Sequence, residues 1–281
     1  MNAQPQMSEH SPAGSIDQDE PVLLREDRGR IAILTLNRPK ARNSLSEALL
    51  RALGAALDEI GASPSIHTVV LTGAPPAFCA GHDMREMTAR RADPDGGRAY
   101  YESLMQLCSQ VMQKVVRSPK PVVAAVSGIA TAAGCQLVAS CDLAIAGESS
   151  QFATPGVNIG LFCSTPMVAL SRNVGRKQVM EMLLLGDMLP ADRALHFGLV
   201  NRVVPDAEVL PAALGMAEII ASKSPLTLRI GKEAFYAQAE MPMREAYDYA
   251  SRVMAENMMA RDAEEGIGAF LEKRAPRWQG C

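Results

Sequence analysis

Short apolar runs alternate with stretches of helical periodicity from about residue 30 to residue 205. The apolar runs are rich in Val, Ile and Leu and are bounded by polar, Gly or Pro residues, which is typical of buried strands. We predict strands at Ile31–Leu36, Thr68–Leu71, Val122–Val126, Leu143–Ile145 and Val200–Val204. Strands that alternate with helices in this way indicate an α/β fold class.

The first long helix has a clear start and a clear end. Ser44 and Glu47 have the spacing of a capping box, apolar residues recur at helical period from Leu49 to Ile60, and Gly61 is placed to stop the helix. The same periodicity predicts further helices at Arg98–Arg117, Lys177–Leu185 and Ala191–Phe197.

Strand signals disappear after Pro205. Helical periodicity predicts four last helices at Leu210–Ser222, Leu226–Ala239, Arg244–Met259 and Asp262–Lys273. We therefore divide the chain into a core at 21–205 and a C-terminal helical region at 206–281. Met254, Met258 and Met259 fit a core or a subunit interface better than a cofactor contact.

The first 20 residues carry four acidic residues and no Lys or Arg, and no apolar run follows them. This composition predicts a disordered tail at 1–20 and argues against a secretory signal or an Arg-rich transit peptide.

The six cysteines are scattered, mostly in apolar stretches, without metal-ligand spacing. We expect reduced, mostly buried thiols, no metal site and a cytoplasmic location.

The net charge argues against partners that attract basic proteins. The chain has 28 Lys and Arg against 31 Asp and Glu, a net charge of −3, so it offers no general attraction to nucleic acid or to an acidic membrane surface.

Residues 121–141 are uncharged and long enough to cross a bilayer. Small residues dominate them, however, and Pro121, Gly128 and Gly134 interrupt them, so a strand, a glycine turn and a short helix fit better.

Two segments combine small residues with polar side chains or main-chain N–H groups that suit a catalytic or binding site. In 77–87, Gly81 precedes His82 and Asp83, which suggests a loop whose backbone approaches another group closely. In 128–136, small residues join a strand to a helix, where accessible N–H groups can stabilise a developing oxyanion. Each pattern alone is also typical of tight packing.

Together and in this order, these segments resemble the crotonase superfamily, also called the enoyl-CoA hydratase/isomerase family. Further matching motifs extend the resemblance from about Pro21 to Trp278: Leu36-Asn37-Arg38-Pro39, Asn43-Ser44-Leu45, Cys141-Asp142-Leu143, Gly198-Leu199-Val200-Asn201 and Phe270-Leu271-Glu272-Lys273-Arg274. The resemblance implies a spiral core of repeated ββα units and a C-terminal helical region that forms a homotrimer or a dimer of trimers. It also implies an acyl-CoA thioester as the ligand, with coenzyme A as part of the substrate and no separate cofactor.

The resemblance also assigns the site residues. The N–H groups of His82 and Ala133 match the two donors that polarise the thioester carbonyl in this family. The other positions implied to contact the substrate are Lys40, Ala41, Arg42, Ala80, Gly81, Asp83, Met84, Gly134, Pro155 and, from a neighbouring subunit, Lys273.

The chain departs from the family's hydratases at both catalytic glutamates, which are replaced by Gln136 and Gly156. Neither residue exchanges a proton at neutral pH. The run at 154–166 resembles the enoyl-CoA-hydratase-domain-containing branch, which shares these losses. Among possible substitutes, the His82 imidazole titrates near neutrality, whereas Asp83 fits a helix cap and Cys163 a buried thiol.

Two hypotheses remain from the sequence. One is an enoyl-CoA hydratase/isomerase family enzyme that stabilises an enolate-like intermediate but transfers protons differently or slowly. The alternative is a catalytically weak or inactive protein that binds CoA thioesters.

Overall fold

The computed structural model describes residues 20–281, which form two sheets surrounded by helices. The predicted tail at 1–20 therefore lies almost entirely outside the described residues. Strands β1 to β9 are, in chain order, Leu23–Arg28, Ile31–Leu36, Thr68–Gly73, Val122–Val126, Ile129–Thr131, Leu143–Gly147, Gln151–Ala153, Leu189–Pro190 and Arg202–Val204.

Eleven α-helices cover these sheets in the described chain. Helices α1 to α11 are Glu47–Ala62, Met84–Ala89, Arg98–Arg117, Ala133–Ser140, Pro166–Leu170, Arg176–Leu185, Ala191–Phe197, Val209–Ala221, Pro225–Gln238, Met243–Met258 and Arg261–Leu271. Short 3-10 helices lie at Pro39–Ala41, Arg90–Ala92, Pro155–Ile159 and Asp206–Glu208.

The larger sheet has the strand order β1-β2-β3-β4-β6-β9, and the smaller has the order β5-β7-β8. In the larger sheet only the β1–β2 pair is antiparallel. Its central strands are largely buried on both faces because helices cover both: α8 packs on one side, and α1, α3 and α4 enclose the main core on the other. The α/β prediction is confirmed.

The chain passes repeatedly from the larger sheet to the smaller one and then into a helix. Strand β4 leads to β5 and α4, and β6 leads to β7 and the helices that follow. After β3, Cys79 forms an isolated bridge with Ala130 of β5 before the chain enters α2. These turns are the ββα units that the resemblance implies.

The uncharged stretch at 121–141 becomes β4, β5 and α4, as predicted from its small residues. Within residues 20–281, no helix is both long enough and apolar enough to span a membrane.

Several predicted boundaries are wrong for local reasons. Helix α1 is capped by Ser46, whose hydroxyl accepts from the Leu49 N–H at 3.2 Å, whereas the Ser44 hydroxyl accepts from Arg38. The helix also continues through Gly61 to Ala62. The last strand begins at Arg202 rather than Val200, because Gly198 and Leu199 are still closing α7 by donating to its last carbonyls.

Four strands were missed. Three of them, β5, β7 and β8, contain only two or three residues, which is too short to show an alternation of side chains. The fourth, β1, reads LLREDR and lies at the sheet edge with charged side chains exposed.

Candidate active site

The loop at 79–83 lies directly against the start of α4. The Cys79 N–H donates to the Ile129 carbonyl at 3.1 Å, and the Thr131 N–H donates to the Cys79 carbonyl at 2.9 Å. These bonds bring Gly81 beside the turn that opens the helix: a Cβ on Gly81 would lie 3.0 Å from the Ala132 Cβ and 3.5 Å from the Ala133 nitrogen. Gly81 also has φ +93°, so both its space and its backbone favour glycine.

The turn itself is strained at Ala132, which has φ 50° and ψ −117° at the N-cap of α4. A non-glycine residue in such a conformation costs about 1–3 kcal/mol and persists only where its surroundings hold it. Here the Ala132 N–H donates to the Ala153 carbonyl at 2.9 Å. On the other side of the turn, any side chain at Gly134 would collide with the Cys79 carbonyl, so helix and loop meet backbone to backbone.

This arrangement leaves two main-chain donors unused. Within the described residues, neither the His82 N–H nor the Ala133 N–H donates to a protein acceptor. Free N–H groups at a helix start and an adjoining loop are suited to hold negative charge on an oxygen. The structure thus brings together the two predicted oxyanion donors.

The His82 side chain is enclosed although its residue is only half-buried. Both ring nitrogens are inaccessible to solvent and have no hydrogen-bond partner among the described residues. Burial lowers the pKa of the His82 ring. The Leu45 carbonyl lies nearby, outside hydrogen-bond geometry, and opposes part of this shift. The neutral imidazole is therefore favoured at pH 7.

Asp83 caps α2, as predicted. Its carboxylate accepts from the Arg85 and Glu86 N–H groups at 3.1 and 3.3 Å and pairs with Arg38 at 2.8 Å. Burial alone would raise the pKa of Asp83, but the Arg38 guanidinium and the two N–H groups outweigh it and hold the pKa below its usual value.

The segment implied to contact CoA lies next to this loop. Lys40 and Ala41 belong to a 3-10 turn, Arg42 follows with φ 49°, and the Ala80 N–H donates to the Arg42 carbonyl at 3.0 Å. Lys40 and Arg42 are exposed, as is Met84 at the start of α2. The structure therefore brings these substrate-contact candidates together around Ala80 and Gly81.

Arg38 and Asn43 are positioning residues whose roles the sequence motifs do not indicate. Arg38 joins the Ser44 carbonyl, at 2.6 Å, to Asp83. Asn43 is fully buried, accepts from the Arg38 N–H and donates to the carbonyls of Ala74 and Ala77. A side chain with so many main-chain partners cannot be recognised from spacing alone, because those partners are up to 34 residues away.

Gln136 and Gly156 both lie in buried surroundings. Gln136, in the first turn of α4, is 4% exposed, and its Oε1 has no partner in the described part of the chain. Gly156 follows Pro155 in a 3-10 turn, where a Cβ would lie 2.8 Å from the Leu161 carbonyl oxygen and 2.9 Å from the Cys163 Sγ. Cys163 is a buried thiol, as predicted, and burial raises its pKa.

Lys273 stands apart from these residues. It follows α11, which packs against α9 and α10, so within one chain it belongs to the C-terminal helical region. Its predicted reach into a neighbouring subunit stays a prediction. Among residues 20–281, no three His, Cys, Asp or Glu side chains are grouped to hold a metal ion.

Comparison with known proteins gives a consistent result. The family model described as enoyl-CoA hydratase/isomerase matches residues 26–281. The human enoyl-CoA hydratase domain-containing protein 3, mitochondrial, is 43% identical over 261 residues, which cover 93% of this chain and 84% of that protein. A crystal structure of enoyl-CoA hydratase from Mycobacterium smegmatis superposes with a TM-score of 0.88 at 51% identity, covering 92% of this chain and 99% of that one.

A crystal structure of the human domain-containing protein 3 superposes with a TM-score of 0.87 at 42% identity, covering 92% of this chain and 100% of that one. The predicted cytoplasmic location is wrong by this comparison, because the human relative carries a mitochondrial name. The match over nearly the whole chain and the retained loop geometry agree: the chain belongs to the enoyl-CoA hydratase/isomerase family, in the branch of the enoyl-CoA hydratase domain-containing proteins.

Proposed function

We propose that this chain binds an acyl-CoA thioester and stabilises enolate-like negative charge on its carbonyl oxygen with the N–H groups of His82 and Ala133. The observation that carries the proposal is the contact of Gly81 with the turn at 131–133, which sets two unused donors side by side. Removing one such preorganised donor typically costs about 2.7–4 kcal/mol of transition-state stabilisation.

Recognition of the CoA portion is assigned to the turn at 40–42. Lys40 and Arg42 are exposed cations on a segment hydrogen-bonded to Ala80, so they can meet the phosphates of CoA while the thioester reaches the two donors. Lys273 of a neighbouring subunit adds a further cation in this proposal.

Proton transfer is the step for which the chain is poorly equipped. Hydration requires a base that takes a proton from water and an acid that protonates the α-carbon. The amide of Gln136 can orient a water but cannot titrate, and Gly156 has no side chain. The neutral imidazole of His82, the residue that also carries one of the two donors, is a group that can accept a proton. We therefore propose slow hydratase or isomerase chemistry.

The second candidate is a CoA-thioester-binding protein without turnover. It is supported by the crowding at Gly156, where the Leu161 carbonyl and Cys163 thiol occupy the space that a catalytic side chain would need.

Binding is tested first, by calorimetry with acetoacetyl-CoA. We expect the wild type to bind and Gly81→Ala to weaken binding at least tenfold, because the new methyl group pushes the loop away from Ala132. The matched control is Gly29→Ala, which also has a positive φ but open space around it. Absence of binding at millimolar acetoacetyl-CoA would reject both candidates.

Turnover then distinguishes the slow enzyme from the binding protein without turnover. Purified protein is assayed with short, medium and aromatic enoyl-CoA esters by loss of enoyl-thioester absorbance. Slow hydration or isomerisation that Gly81→Ala abolishes supports the enzyme. Tight binding with no product on any ester supports the binding protein.

A further inference from the structure

A separate cavity of about 440 Å³ lies at the end of the larger sheet that is opposite the two donor loops. Its walls come from the end of α1, the residues just before β3 and β4, the start of α9 and the chain terminus at 278–280. These are the amino ends of the parallel strands, whereas the donor loops follow their carboxyl ends. The cavity is therefore distinct from the proposed acyl-CoA site.

Four basic side chains line this cavity: Arg30, His67, Lys120 and Arg229. No Asp or Glu is among its lining residues. In the part of the chain that the structure describes, Arg30, Lys120 and Arg229 form no salt bridge, although twelve other pairs are present. Three basic side chains thus share one concave surface without an ion-pair partner among the described residues.

The nearby carboxylate of Asp262 does not serve as that partner. It is 1% exposed and accepts from the Ser224 hydroxyl and from the N–H groups of Gln279 and Gly280. These bonds hold the chain terminus against the start of α9 and so build one wall of the cavity. Both carboxylate oxygens of Asp262 accept hydrogen bonds within the cavity wall rather than facing the cavity.

The basic groups are close enough to affect one another. Burial lowers the pKa of Lys120, and the positive charge of Arg229 adds to the shift. Burial also lowers the pKa of His67, with Arg30 and Lys120 adding to it against the Ala221 carbonyl. Repulsion between these groups is relieved when an anion occupies the space between them.

The volume falls in the range of small-molecule sites, about 300–1,000 Å³. The partly exposed indole of Trp278 also lines it, with its Nε1 donating to the Ser222 carbonyl at 2.8 Å. We propose that this cavity binds a small ligand carrying a pyrophosphate or similar multiply charged phosphate group, held by Arg30, Lys120 and Arg229.

Trp278 makes the proposal directly testable, because it is the chain's one tryptophan. The 281-residue protein is titrated with inorganic pyrophosphate while Trp278 emission is followed, and calorimetry runs in parallel. The test variant is Lys120→Ala/Arg229→Ala. The control is Arg176→Ala/Lys177→Ala, which removes two exposed cations from α6, away from the cavity.

We expect saturable binding that the test variant weakens at least tenfold and the control leaves within twofold. Thermal unfolding should shift upward with pyrophosphate in the wild type and control alone. The proposal is wrong when no saturable binding occurs below 10 mM, or when both variants lose affinity equally. It is also wrong when binding persists in Lys120→Ala/Arg229→Ala but disappears on addition of acetoacetyl-CoA, since pyrophosphate would then occupy the acyl-CoA site.

Discussion

At the scale of single residues, two glycines are required at the site for different reasons. Gly81 has a positive φ and a close neighbour, so both conformation and space exclude a side chain. Gly156 does not have a positive φ, and only the Leu161 carbonyl and the Cys163 thiol exclude one. The sequence marks both positions as glycine but does not distinguish these causes.

We expect Gly156→Ala to destabilise the protein by about 1–3 kcal/mol, the usual cost of overpacking. Gly215→Ala, in α8 with no heavy atom near its new methyl group, should be neutral or stabilising by up to about 1 kcal/mol. Urea unfolding measures both. Equal midpoints for the two variants would contradict the crowding at Gly156.

Restoring the carboxyl groups tests the proton-transfer argument. The double variant Gln136→Glu/Gly156→Glu should hydrate crotonyl-CoA faster than either single variant, because acid and base act on one water as a unit. Its melting temperature is measured alongside, since Gly156 is crowded. Efficient wild-type hydration that survives Gln136→Ala would show that other groups carry the protons, and His82→Ala would then be assayed.

At the scale of elements, long periodic segments were predicted well and short ones were not. Helix α3 and strands β2 and β4 match at both ends because each carries its own apolar pattern. Strands β5 and β7 exist because they pair with each other and because Cys79 bridges to β5. Such pairing depends on residues distant in sequence.

The capped start of α2 should give a pH-dependent contribution to stability. Asp83 has a lowered pKa in the folded state, so its contribution is present above the unfolded pKa of about 4 and is lost as the pH falls through the folded value. We expect Asp83→Asn to cost about 1 kcal/mol at pH 7, because the pair with Arg38 is removed. The cost should shrink toward pH 3.

Melting temperatures at pH 7 and pH 3 measure this difference. Asp93→Asn is the control, since its carboxylate has no hydrogen-bond partner among the described residues. A deficit in Asp83→Asn that is the same at both pH values would contradict the argument.

At the scale of the whole molecule, one buried charge joins the C-terminal helices to the sheet. The side chain of Lys232, on α9, is 7% exposed, pairs with Asp142 at 2.7 Å and also donates to the Val115 and Lys120 carbonyls. Asp142 also accepts from Tyr236 and from the Val122 N–H. Asp142 therefore has a structural role, and its partners on α9 are about 90 residues away in the sequence, where no local pattern indicates them.

Lys232→Met should cost about 3 kcal/mol, because it leaves the Asp142 carboxylate without its cation in a largely buried position. Lys223→Met, an exposed lysine nearby in sequence, should change stability by less than about 0.5 kcal/mol. Urea unfolding compares them. A Lys232→Met protein as stable as the control would contradict this linkage.

The last helices also expose large apolar side chains, with Met259 86%, Phe270 80% and Met243 79% exposed. Such a surface supports the predicted trimer or dimer of trimers. We expect light scattering at micromolar protein to give a trimer or hexamer and Phe270→Asp to shift it toward monomer. Glu264→Asp is the control. A monomeric wild type would contradict the prediction.

Residue types and local periodicity are enough to predict the alternation of strands and helices, the helical end of the chain and the positions of the missing glutamates. Packing places Gly81 against the turn of α4 and Cys163 beside Gly156, and it gathers Arg30, Lys120 and Arg229 around one cavity. These contacts join segments that are far apart in the chain or turn on space left by packing. No local pattern encodes them.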